Sequence, residues 1–166
     1  MLSEIFADGG LLCFIKTYLF QTIAQKIDFT SFRLYVGEIG NHLDHRNNLT
    51  LDLAIYDRQL LTAKKINTRY IDVAPKVVIE VDVRVELEDR RADAFDEFVL
   101  RKIRKLHEFG TEKIIWLFTN SKTIIVATPG NSWGVFDLKD DVEVMDGISF
   151  NLGKYLESEE IGLGDF

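Results

Sequence analysis

Hydrophobic residues recur along this chain with two periods, and the periods divide it into elements. In residues 11–27, Leu12, Ile15, Leu19 and Ile23 return at steps of three and four, joined by Leu11, Phe14 and Tyr18. That spacing predicts an amphipathic helix, started at Gly9 and Gly10. Residues 31–39 predict a strand, and the turn-rich stretch 40–48 a loop. TLDLAIYD, residues 50–57, alternates: Leu51, Leu53 and Ile55 are expected on one face, Asp52, Ala54 and Tyr56 on the other. Residues 58–75 form a connection with a short irregular strand at most. KVVIEVDV, residues 76–83, is rich in β-branched residues and reads as a strand, with Val77, Ile79, Val81 and Val83 opposite Val78, Glu80 and Asp82.

A long helix is expected over 88–109, with acidic residues crowding its first half and Arg101, Lys102, Arg104 and Lys105 its second. That polarity suits the helix dipole, and Gly110 supplies a stop. KIIWLF (113–118) predicts a buried strand, and further strands follow at 123–129 and 133–138. A strand or turn near 142–146 and a short helix at 153–160 close the chain. The order of helix, strands, helix, strands predicts an α/β fold, a mixed β-sheet flanked by helices, with residues 1–166 as one domain.

Composition narrows the classes. A hydrophobic content of 46% and a charged content of 28% are those of a globular chain. The net charge of −7 argues against a basic coat that binds nucleic acid nonspecifically. No apolar run approaches the ~20 residues needed to span a bilayer. Glu4 and Asp8 precede the first apolar stretch without a basic leader, so no secretory signal is expected. The single cysteine, Cys13, fits a reducing cytoplasm and is expected as a buried helix thiol.

The charges inside apolar segments raise the question of chemistry. Glu80 and Asp82 interrupt one strand and Asp52 another. Like charges about 7 Å apart repel and resist desolvation unless something compensates them. If the two strands are neighbours, all three carboxylates can converge, and a divalent cation answers the electrostatic problem; Mg²⁺ is often held by only one or two carboxylates and several waters. The alternative is a solvated open sheet face. The helix bears on the choice. At ~100° per residue, Lys102 points with Phe95, Phe98, Val99, Leu106 and Phe109 rather than away from them. It either snorkels along its stem or reaches over the sheet to the carboxylates.

These residues make an ordered set: Asp52, then Glu80-Val81-Asp82, then Lys102. The set resembles the active site of the PD-(D/E)XK nuclease superfamily. More specifically, the chain resembles the Uma-type family of restriction-endonuclease-like proteins. LDLAIYD resembles that family's Pro-Asp strand, APKVVIEVDV its Pro-x-x-x-x-Glu-Val strand, and KIRKLHEFGTEKIIWLF its helix-to-strand element, through Lys102, Leu106, Gly110 and Trp116. The resemblance runs from about residue 11 to residue 157. It departs from the pattern at Leu51, where proline is usual, at Leu106, where tyrosine is usual, and at Asp82, which stands at the superfamily's usual lysine position.

The resemblance implies a restriction-endonuclease-like core and metal-dependent hydrolysis of phosphodiester bonds in nucleic acid, with DNA as the expected substrate. Asp52 and Glu80, with Asp82 and the Val81 carbonyl as further candidates, would hold Mg²⁺ or Mn²⁺. Lys102 would orient water or offset transition-state charge. Arg90, Arg91, Arg101 and Lys105 are candidate phosphate contacts. A homodimer through a sheet edge or helix suits this account. It equally suits its rival, a catalytically inactive interaction module on the nuclease fold, which Asp82 and the acidic balance favour. A phosphodiesterase acting on a small nucleotide would use the same residues. Two histidines in HLDHRNN, His42 and His45, without a third ligand nearby, are read as loop residues rather than a zinc site.

Overall fold

The computed structural model describes residues 8–82, 92–130 and 132–163, with the backbone alone described for 92–96. Helix α1 (Gly10–Ala24) is followed by β1 (Phe32–Asp44), β2 (Asn47–Asp57) and β3 (Val77–Asp82), then α2 (Ala92–Phe109). After α2 come β4 (Lys113–Phe118), β5 (Thr123–Ala127), β6 (Trp133–Asp137), β7 (Val142–Met145), β8 (Ile148–Phe150) and α3 (Leu152–Ser158).

Strands β1 to β6 form one mixed sheet in sequence order, and β7 and β8 form a separate pair. All neighbours in the large sheet are antiparallel except β3 and β4. Parallel neighbours need a long crossover, and α2 lies within it. This is the expected α/β arrangement: a six-stranded mixed sheet flanked by helices.

The sheet separates two cores. In the first, Ile15, Leu19 and Ile23 of α1 meet Leu53, Ile55, Val77, Ile79, Val81, Ile115 and Leu117, together with the β7–β8 pair and α3. In the second, Val99, Ile103 and Leu106 of α2 cover Ala54, Tyr56, Val78, Ile114 and Trp116. The alternation expected for β3 therefore holds, with Val77, Ile79 and Val81 on one side and Val78 on the other. Burial of both faces explains why so many of its residues are β-branched and apolar.

Several local expectations change. The stretch read as a loop at 40–48 is mostly strand, and β1 and β2 turn over at His45 and Arg46. Asp44 holds that turn by accepting hydrogen bonds from the Arg46 N–H at 3.0 Å and the Asn47 side-chain amide at 2.8 Å. His42 pairs through Nδ1 with Asn48 Oδ1 across the hairpin. Cys13 is exposed, because the buried line of α1 runs through Ile15, Lys16, Leu19 and Ile23 and leaves residue 13 on the other side. The expected face of β2 breaks at Leu51, which joins the second core while Leu53 and Ile55 lie in the first. The break coincides with a bulge between Val36 and Ile39 on the paired strand. Bulges re-aim side chains, and the residue between Leu51 and Leu53 is Asp52. The start of the helix expected at 88, with Arg90 and Arg91, lies outside the described residues.

Candidate functional site

Asp52 sits where the β2–β3 ladder ends. The paired register runs Ile55–Val77, Ala54–Val78 and Leu53–Ile79, and there it stops. At the next step the Asp52 side chain replaces the missing backbone acceptor: Val81 N–H donates to Asp52 Oδ2 at 2.8 Å. The other oxygen, Oδ1, lies 3.2 Å from Lys16 Nζ, which also contacts Asp8 Oδ2 at 2.9 Å. Lys16 comes from α1, so Asp52 is held from the first-core side of the sheet.

Glu80 is served from the opposite side. It is 7% exposed, and its Oε2 lies 3.3 Å from Lys102 Nζ, on α2. Lys102, also 7% exposed, donates to the Thr50 carbonyl at 2.7 Å. Its ammonium lies 5.5 Å from the Trp116 ring and 6.0 Å from that of Phe98. Trp116 is the register partner of Glu80 on β4. An ammonium over aromatic rings, one carbonyl and one carboxyl is well placed without water.

The two carboxylates differ in how they are satisfied. Both oxygens of Asp52 have partners, whereas Glu80 Oε1 is buried with none. Burial pushes the Glu80 carboxyl up to about 8; Lys102 works against that rise and Asp52 adds to it. The neutral acid is therefore favoured at pH 7, and Lys102 then donates to a carboxyl rather than pairing with an anion. Lys16 is raised despite its burial, because the hydrogen bond to Asp8 and the charge of Asp52 outweigh desolvation.

The remaining sequence-derived candidates are less gathered. Asp82 ends β3 half-buried, and its carbonyl accepts from Thr119 N–H at 3.0 Å and Thr119 Oγ1 at 3.1 Å. Among the described residues, no group of three His, Cys, Asp or Glu side chains is close enough to hold an ion together. Asp52, Glu80 and Asp82 thus do not form a three-carboxylate cluster; Asp52 is drawn aside by Lys16 and Val81. Arg101 is exposed on α2, and Lys105 lies 3.6 Å from Glu108. Phe98 is 49% exposed, although the helical projection placed it with the core. The true stripe includes Ile103, so it is rotated, and Lys102 lies at its rim.

The residue that sequence reasoning missed is Lys16. Its signal was available: it lies four residues after Leu12 and three before Leu19, at a core position of α1. A lysine there poses the same question as Lys102 in α2.

No protein-family profile matches the chain, and no curated protein does. Among solved structures, the fold is similar to that of a protein from Anabaena variabilis described as a "putative nuclease belonging to DUF820". The TM-score is 0.65 at 12% identity, over 94% of this chain and 85% of that one. The likeness is one of fold.

Proposed function

We propose that this chain is a metal-dependent nuclease of the Uma type, hydrolysing phosphodiester bonds in nucleic acid, with DNA as its substrate. The observation that carries the reading is Glu80: a carboxyl buried in the sheet, with one oxygen unpartnered, beside a second carboxylate and facing a buried lysine. Structural economy alone gives no reason to place such a group there, since an apolar residue avoids the desolvation cost. The nuclease-like fold supports the same reading.

The donor set fits Mg²⁺ or Mn²⁺. Two carboxylates with several waters are a common complement for such ions, so a third carboxylate is not needed. Asp52 and Glu80 would hold the ion, with Asp82 at the adjoining strand end. The ion would supply Lewis acidity toward a phosphoryl oxygen and a more acidic water. The chain's own residues do the rest. Val81 N–H and Lys16 fix the Asp52 carboxylate. Lys102, anchored on Thr50 and packed beside Trp116, orients the attacking water or offsets charge on the phosphate. Lys102 thereby takes the work of the lysine that Asp82 displaces.

Cleavage of a mixture of plasmid, single strands and RNA in Mn²⁺ tests the proposal, with Asp52→Ala, Glu80→Ala and Lys102→Ala run alongside. Loss of cleavage in all three is expected; cleavage undiminished in all three refutes it. The second reading, a catalytically inactive interaction module, is favoured by one observation. Each carboxyl already has its own lysine, Asp52 with Lys16 and Glu80 with Lys102. In that case calorimetry shows no Mn²⁺ binding that Asp52→Ala abolishes.

A further inference from the structure

Residues 58–71, RQLLTAKKINTRYI, carry Arg58, Lys64, Lys65 and Arg69 and no acidic residue, in a chain of net charge −7. This segment runs along the outer edge of β1. Ile71 N–H donates to the Gly40 carbonyl at 2.9 Å, and His42 N–H to the Ile71 carbonyl at 2.7 Å. Between the segment and β1 lies a cleft of about 560 Å³, lined by Tyr35, Glu38, Gly40, Lys65, Arg69 and Tyr70 among others. Tyr70 is 57% exposed. Its ring packs against the bare backbone of Gly40, where an added Cβ would meet ring carbons at 2.6 and 2.7 Å. An aromatic ring supported from below by glycine, largely open to solvent and flanked by cations, is a stacking platform beside phosphate contacts.

The position relates this platform to the proposed active site. Gly40 is the cross-strand partner of Thr50, whose carbonyl holds Lys102. The strand order places β1 two spacings from β3, about 10 Å across the sheet. A short run of nucleic-acid backbone spans that distance. We infer that the cleft between β1 and residues 61–71 binds an unpaired nucleic-acid strand, one base stacking on Tyr70 and the phosphates contacting Lys65 and Arg69. The inference rests on the nuclease reading for its substrate class and makes it more specific: the substrate is single-stranded at the site or presents an unstacked base. Among the described residues, Glu38 lines the cleft and Asp72 lies 3.9 Å from Lys65, and neither forms an ion pair with Arg69.

The test is fluorescence anisotropy in EDTA, using labelled oligo-dT and oligo-U of about 15 nucleotides, within the usual single-strand site size, and a duplex of equal length. Unpaired strands of one or both kinds should bind at least ten-fold more tightly than the duplex. Tyr70→Ala should weaken them about ten-fold or more, and Tyr70→Phe should stay within about two-fold, given the size of base–aromatic stacking. Gly40→Ala, which pushes the ring from its seat, should act like Tyr70→Ala; if it does not fold, the Tyr70 pair decides alone. Removing both Lys65 and Arg69 should shrink the salt slope by about 1.4. Lys154→Ala, on α3, should change nothing. Equal or tighter duplex binding, or full single-strand affinity in Tyr70→Ala, overturns the inference. Binding that depends on Tyr70 without any cleavage in Mn²⁺ removes the nuclease reading and keeps the cleft. Cleavage indifferent to Tyr70 does the reverse.

Discussion

Glu80→Gln should stabilise the metal-free protein, increasingly so as pH rises. Glutamine is close in shape to a protonated glutamic acid and cannot ionise. The Glu80 carboxyl is raised by burial from its ordinary 4.5 to about 8. A carboxyl raised in the folded state makes its full contribution below the unfolded pKa, and that contribution is lost as pH climbs through the folded one. Between about pH 4.5 and 8 the native state holds a proton that the unfolded chain has released, so stability falls with pH. At about 1.4 kcal/mol per pH unit, the loss from pH 5 to pH 9 approaches 4 kcal/mol. The variant lacks this loss, so the two proteins should be of similar stability near pH 5 and separate by a few kcal/mol at pH 9. Urea denaturation of both proteins in EDTA at four or five pH values measures it. A separation that stays flat across the range, or a variant less stable than the wild type at pH 9, refutes the claim that Glu80 is protonated in the fold.

The same chemistry predicts proton release when Mn²⁺ binds, because a cation between Asp52 and Glu80 favours the ionised carboxyl; near pH 7 the calorimetric enthalpy should vary with the ionisation enthalpy of the buffer, and a buffer-independent enthalpy would count against it. Lys16→Ala should cost about 2–4 kcal/mol in thermal or urea unfolding, since it strips the cation from the part-buried Asp52 and leaves a gap beside Ile15 and Leu19. Lys16→Met, which keeps the volume and drops the charge, separates the two contributions. Gly110→Ala should cost about 1–3 kcal/mol: the backbone there has φ +126°, a region side chains avoid, and the new Cβ would lie 3.3 Å from Ala74. A loss below about 0.5 kcal/mol would mean that the α2–β4 turn relaxes freely.

The sequence was most legible where periodicity was strong and both faces were buried. The strand at 113–118 and the split between Val77, Ile79 and Val81 on one side and Val78 on the other followed from apolar runs and alternation alone. The hairpin at 40–48 was obscured because polar residues such as Asn41, His42 and Asn48 fill it. What stabilises it is the pairing of β1 with β2 and the buried contact of the Tyr56 hydroxyl with Asn41, neither of which is visible locally. In β2 the alternation was read correctly for Leu53 and Ile55 but failed at Leu51, because a bulge on the partner strand is not encoded in the strand it affects. For α2, the helical projection includes Phe98 in the apolar arc. Packing instead selected Ile103, a rotation of the stripe that a single helix cannot reveal. Lys102 was identifiable because a charge in an apolar stripe demands a partner. Lys16 meets the same criterion.

On the proposed metal-binding reading, both lysines set the state of the site before a cation binds. Asp52 pairs with Lys16 from α1 and Glu80 with Lys102 from α2, and the two helices cover opposite sides of the sheet. Were both pairs ionised, the four groups would sum to zero and a divalent cation would raise that sum by two. The asymmetry halves the rise. Asp52 keeps both oxygens engaged and stays fixed on β3, whereas Glu80 leaves Oε1 free and holds a proton near neutrality. Exchanging that proton for a divalent cation would raise the charge of the group by one rather than two. Lys102 is also held by Thr50 and Trp116, contacts that do not depend on the charge of Glu80. On that reading the side chains are placed before the cation binds, and the Glu80 proton is what the cation exchanges. If Lys102→Met abolished Mn²⁺ binding while Glu80→Gln preserved it, the roles would be reversed and this ordering of the site would be wrong.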